Sequence, residues 1–490
     1  MKIGRETTVL KRLICFLGML FAAALAAAIY AGNGWSPLRM TLFFLAAAVL
    51  LALLVFRVLP QLPHWAYLVT AGLLCVGLRL LAVAVLPVDT LPSHDFAAYF
   101  RLAQTLAEHG TVPSSSANLF PHILFYSLVL SLPFRLFGST ILTYQLCGVA
   151  LALGQILLLY AILLGFLGRR GAFFGCLLWA CDPVLILYAP LNCNEHLALT
   201  LILLYLFLLF FMERHPALSV PGLLLQGVAL GLNLLALNLI RPMAVILAVA
   251  TLLYLGLRHP KAIRRNWLAA CAGLLAAAVV LMGGKSLVFW AADGILPQPL
   301  SPNSAVFTLL VGSNFDAGGS WNAPDSKLFL DTVKATYNDG CDYQKAYREI
   351  MDVVENRYRA MSPQQIGQLL LVKNETLWGG QRAVVAYLTQ YREEALPSLL
   401  DHPRAVNLMR ESCDSAMLAL LILLAAACLP ELRRKNGTPV LWCAITVMGL
   451  ACLYCLTEAA GRYTLMAYPM LTVCAAALGS DLFGRKELNR

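Results

Sequence analysis

The residues in this 490-residue chain best placed to do chemistry fall in four short polar stretches, each set against an apolar run. The first is His94-Asp95-Phe96-Ala97-Ala98-Tyr99, a carboxylate at the start of an amphipathic pattern. The others are Asn192-Cys193-Asn194-Glu195-His196, Asn238-Leu239-Ile240-Arg241-Pro242 and Thr457-Glu458-Ala459-Ala460-Gly461-Arg462-Tyr463. Carboxylates can orient a hydroxyl and take its proton, and arginine presents a planar fork of donors matched to oxyanions. Each has a plainer reading: Asp95 serving a helix N-terminus, Glu195 and His196 capping a helix, and the arginines meeting lipid head groups or a neighbour such as Glu458.

The elements that must position these stretches are membrane helices. Hydrophobic residues make up 60% of the chain and charged residues 13%. Runs of about 17 to 25 apolar residues recur, each enough to cross a hydrocarbon layer roughly 30 Å thick as a helix. The net charge of +10 is not the footprint of a nucleic-acid binder, because the excess lies in short clusters beside the runs. These are the N-terminal tail, Arg57, Arg169-Arg170, Arg214, Arg258 to Arg265, Arg433 to Lys435 and Arg485 to Arg490, the pattern of cytoplasmic loops.

Placing every cluster inside gives spans near 12–31, 38–56, 66–86, 139–168, 171–190, 195–212, 220–239, 242–257, 267–290, 415–430, 438–456 and 462–480. The expected fold is an all-α polytopic bundle of about 12 to 13 transmembrane helices with both termini cytoplasmic. Pro121 to Gly138 is read as non-crossing, because Pro133 and Arg135 interrupt it. All four polar stretches then face the extracytoplasmic side. Phe96, Tyr99, Phe100, Ala103, Leu106 and Ala107 form one stripe of a helix closed by Gly110, expected to lie in the membrane interface, with Pro92 and Ser93 at its start. At Asp95 the helix dipole favours the ionised form and burial opposes it, and the sequence leaves the winner open.

Between Asp293 and Glu411 lie 11 Lys and Arg against 14 Asp and Glu, so this long segment is slightly acidic. It carries helical pieces, Tyr343 to Met361 and one opened by a Ser362-Pro363-Gln364-Gln365 capping box, and reads as a mostly helical extracytoplasmic cap. The chain thus divides into 1–65 with two N-terminal spans, a core at 66–290 including a first outer loop at 87–120, the cap at 291–414, and 415–490 with three spans and a basic tail. Most of the 14 cysteines sit in apolar runs; Cys193, Cys341 and Cys413 fall in segments expected to be aqueous, and a Cys341–Cys413 bridge is open. There is no nucleotide fingerprint, and no metal-ligand spacing, so no cofactor is expected and a divalent metal is not favoured.

Taken in order, these motifs resemble the membrane glycosyltransferases of the C superfamily, in particular the bacterial protein-mannosyltransferase and aminoarabinose-transferase-like group (family 39-like). The likeness rests on Asp95 with Tyr99, Ala103 and Gly110; Pro121-His122 leading to Phe134-Arg135-Leu136-Phe137-Gly138; Asn194-Glu195-His196; Leu239-Ile240-Arg241-Pro242; Gly312-Ser313-Asn314 with Gly318-Gly319-Ser320-Trp321-Asn322; and Glu458 through Arg462-Tyr463 to Tyr468-Pro469. Two features depart from it: two spans precede the usual first one, and Pro121-His122 stands where a double proline is common.

The resemblance implies a plasma-membrane enzyme that moves a sugar from a polyprenyl-phosphate donor to an acceptor hydroxyl on the extracytoplasmic face, with inversion. The acceptor would be an envelope protein, lipid or wall polymer; membrane lipid is the surrounding partner and nucleic acid is none. It makes Asp95 the base, Arg462 and then Arg241 the phosphate ligands, and His94, Tyr99, Glu195, Glu458 and Tyr463 substrate-binding residues. Weaker candidates are Asp182 with Tyr188 as cavity lining, where Asp-Pro often just bends a helix, Trp321 and Trp378 as sugar-stacking rings, where an aromatic in a small lid is more often core, and Arg79 and Lys285, read mainly as snorkelling. A multi-span transporter or flippase, and a glycan ligase or polymerase using a polyprenyl diphosphate, remain as alternatives, though charges clustered at span ends and the lack of a repeat favour the transferase over the transporter.

Overall fold

The computed structural model describes residues 2–33, 36–88, 94–112, 116–214, 219–258, 267–302, 305–337, 340–434 and 438–484. Among them the chain is helical apart from turns, with one isolated pairing of Val88 and Arg392 and no strand. Ten helices among the described residues are long and apolar enough to cross a membrane. One of these, Ile141–Ala180, doubles back at Gly168, where φ is 73°, a conformation that costs glycine nothing and an L side chain a good deal. That break and the shorter apolar helix Ala244–Arg258 each add a pass, in agreement with the expected all-α bundle.

The passes run between a polar end that carries the candidate site and an opposite end that carries basic side chains. At the opposite end Arg170 donates to the carbonyls of Phe56 (2.9 Å) and Leu59 (3.0 Å), Arg258 pairs with Glu213, and Arg434 with Asp481 (2.6 and 2.8 Å). The first helix, Lys2–Asn33, is fixed there by the buried Lys11, 4.0 Å from Glu431. Between helices, small residues set the approach: a Cβ on Gly227 would lie 2.1 Å from the Gly273 carbonyl oxygen, so Val220–Ile240 and Trp267–Ala292 pack backbone to backbone.

The Asp95 helix spans His94–His109 and ends at Gly110, whose φ is 72°. Its apolar stripe is covered by protein, where the sequence suggested lipid: Phe96, Tyr99 and Ala103 are fully buried, with Phe96 edge-on to Tyr387 and Tyr391. Residues 91–93, expected to begin this helix, lie outside the described residues. Pro121–Phe137 lies alongside it. Ser127 donates to the Tyr99 carbonyl (3.1 Å) and Arg135 to the Leu106 carbonyl (2.8 Å), so this apolar helix is tied along the length of the Asp95 helix.

The cap has a core of its own, in which Val306, Phe307, Leu310, Phe329, Ala346 and Ile350 are buried together. Burial of each large apolar side chain contributes about 1.5–3 kcal/mol, which suits a folded unit. Its helices are Ala305–Gly312, Ala323–Ala335, Tyr343–Ala360 and Pro363–Trp378, the last opened by the Ser362 and Gln365 capping box read from the sequence. Cys341 and Cys413 are not bridged: both thiols are free, and that of Cys413 is fully buried in the bundle, as is Cys193.

Candidate active site

Four charged side chains from distant parts of the chain meet at the polar end. The Asp95 carboxylate pairs with the Arg462 guanidinium, and the Glu195 carboxylate with that of Arg241. Arg462 Nε also lies 3.7 Å from Glu195 Oε1, so Arg462 stands between the two acids. The side chain of Asp95 is 33% exposed and that of Glu195 1%, which makes Asp95 the accessible acid and Glu195 the floor of the cluster. Tyr463 completes it. Its ring lies beneath both guanidinium groups, 5.0 Å from Arg241 and 5.7 Å from Arg462, and its hydroxyl donates to Glu458 Oε2 at 2.8 Å.

Local structure explains why the side chains converge. Asp95 lies in the first turn of its helix, near the positive end of the helix dipole. Glu195 opens the Asn194–Arg214 helix after a turn in which Asn192 has φ 39°, a left-handed conformation that Asn tolerates better than most residues. The Asn192 side chain accepts from Tyr126 (3.0 Å) and donates to the Tyr144 carbonyl (2.7 Å), while its own carbonyl accepts from Tyr144 (2.8 Å). Arg241 follows the last turn of Val220–Ile240 and also reaches Asn194 Oδ1 at 3.2 Å. Arg462 sits in the tight Gly461–Ala467 helix.

Burial works to raise the pKa of Asp95, but the positive groups around it, led by Arg462, outweigh this and hold it at about 2. The question the sequence left open is thus decided for the ionised form. Glu458 goes the other way: burial raises its pKa, opposed by the Tyr463 hydrogen bond and the nearby arginines. Several buried polar atoms of the cluster make no hydrogen bond among the described residues, namely Tyr99 Oη, Glu195 Oε2, Arg241 Nε and Arg462 Nε.

Of the residues singled out from the sequence, Asp95, Tyr99, Glu195, Arg241, Glu458, Arg462 and Tyr463 are brought together; the side chain of His94 lies outside the described part. His196 turns from the centre toward the Tyr188 carbonyl, 3.4 Å from its Nε2. Asp182 caps the short helix Pro183–Leu187 by accepting from Val184 (3.0 Å) and Leu185 (3.1 Å). Arg79 does not snorkel: it is buried and donates to the carbonyls of Cys75 (3.2 Å) and Ala180 (3.3 Å). Lys285 donates to the Pro302 carbonyl, Trp378 is a core residue, and Trp321 is exposed. Among the described residues no three His, Cys, Asp or Glu side chains are grouped to hold a metal. Sequence reasoning quoted Pro121-His122 without giving His122 a place beside Asp95, and it missed the tyrosine cradle of Asn192, which has no local pattern.

Comparison with known proteins adds a family signal. Residues 121–283, about a third of the chain, match the family model described as dolichyl-phosphate-mannose-protein mannosyltransferase. That stretch contains Glu195 and Arg241, while Asp95, Glu458 and Arg462 lie outside it. A similar solved structure is the crystal structure of ArnT from Cupriavidus metallidurans bound to undecaprenyl phosphate, at 14% identity over 84% of this chain and 77% of that one, with a TM-score of 0.37. No curated protein matches the chain.

Proposed function

We propose that this multi-pass protein is a membrane glycosyltransferase that moves a sugar from a polyprenyl-phosphate carrier to an acceptor hydroxyl on the extracytoplasmic face, with inversion at the anomeric carbon. The observation that carries the proposal is the Asp95–Arg462–Glu195–Arg241 cluster, in which two arginines and an accessible carboxylate meet where helices end. The partial match to a mannosyltransferase family model supports the reaction class.

In this reading the acceptor oxygen attacks the anomeric carbon as the bond from that carbon to the phosphate oxygen breaks. The electron pair leaves with the carrier phosphate, whose charge Arg462 and Arg241 receive through forked hydrogen bonds. The acceptor proton passes to Asp95. A carboxyl at about 2 is a weak base while paired with Arg462. Once phosphate oxygens take that guanidinium, Asp95 loses its strongest partner and its proton affinity climbs at the step that needs it. Glu195, buried beneath, keeps both arginines oriented. The cap over the cluster excludes water, which would otherwise compete as nucleophile.

The test is reconstitution of the purified chain in liposomes with a labelled polyprenyl-phosphate sugar and an envelope extract as acceptor. Labelled product of inverted anomeric configuration is expected. Retained configuration, or counterflow of a solute with no transfer, would overturn the reading.

A further inference from the structure

The segment 455–464 carries Glu458, Arg462 and Tyr463, and it has little regular structure to stiffen it: one helix ends at Leu456 and the next turn begins at Gly461. The cap hydrogen-bonds its backbone at Cys455, Ala459 and Gly461, with the helix Pro363–Trp378 and the turn that follows it reaching the first and the last of these. Lys373 is fully buried and faces no carboxylate; its amine donates to the carbonyls of Cys455 (2.7 Å) and Gly312 (3.1 Å). Ala459 donates to the carbonyl of Gly319 at 2.8 Å. Gln381 donates to the Gly461 carbonyl (3.2 Å) and to Thr464 Oγ1 (2.7 Å), and Thr464 in turn donates to the Leu377 carbonyl (3.1 Å).

The glycines on both sides of this seam allow the close approach. A Cβ on Gly319 would sit 2.7 Å from Lys373 Cδ, one on Gly461 would sit 2.3 Å from the Gly380 carbonyl oxygen, and one on Gly312 would strike the Leu456 carbonyl oxygen at 2.5 Å. The other side of the clamp helix rests on the first membrane helix and on the final spans, so it is held from behind. Burial lowers the Lys373 amine to about 8. A buried cation held by carbonyl dipoles is costly to keep, and its amine is placed between the carbonyls of two different elements.

We infer that Lys373 and Gln381 are positioning residues for the transfer reaction: together they clamp 455–464 so that Arg462 stands between Asp95 and Glu195. This rests on the reading of Arg462 as the phosphate ligand. Neither residue touches the reacting atoms, and the coupling is mechanical, through backbone carbonyls flanking Glu458 on one side and Arg462 on the other. The cap thus shapes the site's cationic half.

The test compares K373M, K373R and Q381L with the unaltered chain in liposomes. The readouts are hydrogen exchange over 455–464 and over the cap helices Ala323–Ala335 and Tyr343–Ala360, and the split of transfer kinetics into kcat and KM for the polyprenyl-phosphate sugar. Methionine keeps the packing of the lysine stem, so a folded K373M is expected. Exchange over 455–464 should rise at least about 10-fold with the two cap helices unchanged. Transfer should fall about 10- to 100-fold, mainly in kcat, with K373R recovering part of it, because a small misplacement of a charge-stabilising group is costly. Unchanged exchange and kcat in both K373M and Q381L would overturn the clamp. Should K373M not fold, Q381L alone decides, since it cuts the contacts at Gly461 and Thr464 without burying or removing a charge. A chain that shows no transfer at all, yet loosens over 455–464 in both variants, would sink the proposed reaction while leaving the clamp standing.

Discussion

Asp95 and Glu458 are both partly or wholly buried acids at one centre, yet their surroundings push them in opposite directions. Asp95 is held at about 2 because burial is outweighed by Arg462 and other positive groups, whereas burial raises Glu458. The sign follows: a carboxyl with a depressed folded pKa contributes stability above its unfolded value near about 3.9, and loses it as pH falls toward about 2. In kcat/KM for transfer, Asp95 therefore imposes no acid limb above pH about 4, because it is already ionised there. A pH–rate profile checks this. An acid limb above that pH would instead assign the proton acceptor to Glu458, whose carboxyl burial raises. The residue types and order of this centre were legible in the sequence, but its pairings were not: the sequence offered Glu458 as a partner for Arg462, while the structure gives Glu458 to Tyr463 and Arg462 to Asp95 and Glu195.

At the scale of elements, turn geometry decides whether the charged groups meet. Asn192 illustrates this, because it adopts φ 39° and its side chain holds two tyrosine-bearing helices to the turn before Glu195. A Cβ on Gly148 would lie 3.0 Å from Asn192 Oδ1, so the facing helix leaves room for that side chain. Asn192→Ala loses both side-chain hydrogen bonds and meets the left-handed backbone without compensation, a combined cost of about 2–4 kcal/mol. Asn192→Gly keeps the backbone freedom and should cost less. Thermal unfolding in detergent orders the three proteins; equal loss in both variants would place the whole cost in the hydrogen bonds. Periodicity and caps made many elements readable in advance, including the Asp95 stripe and the Ser362 capping box. The αL turn at Asn192 was not readable, since it depends on neighbours far along the chain, whereas the reversal at Gly168 falls between the expected spans near 139–168 and 171–190.

Across the whole molecule, basic side chains gather at one end of the bundle and the mixed acid and arginine cluster at the other, with the cap packed against the 455–464 segment that carries Arg462. Composition and hydropathy were enough for the membrane bundle, and motif order for the residues of the site. What they could not supply was burial in the third dimension. Arg79, inside an apolar run, was expected to reach the surface and is instead buried on two carbonyls; Trp378, a candidate sugar platform, is enclosed in the core. The central claim is that the cluster assembled from Asp95, Glu195, Arg241 and Arg462 transfers sugar, with Asp95 taking the proton. The most direct measurement is transfer from a labelled polyprenyl-phosphate sugar by Asp95→Asn in liposomes, with polyprenyl-phosphate binding followed in the same preparation. Asn keeps the shape and removes the proton acceptor, so transfer should drop by at least about 100-fold while binding to the arginines persists. Undiminished transfer by the variant would contradict the account.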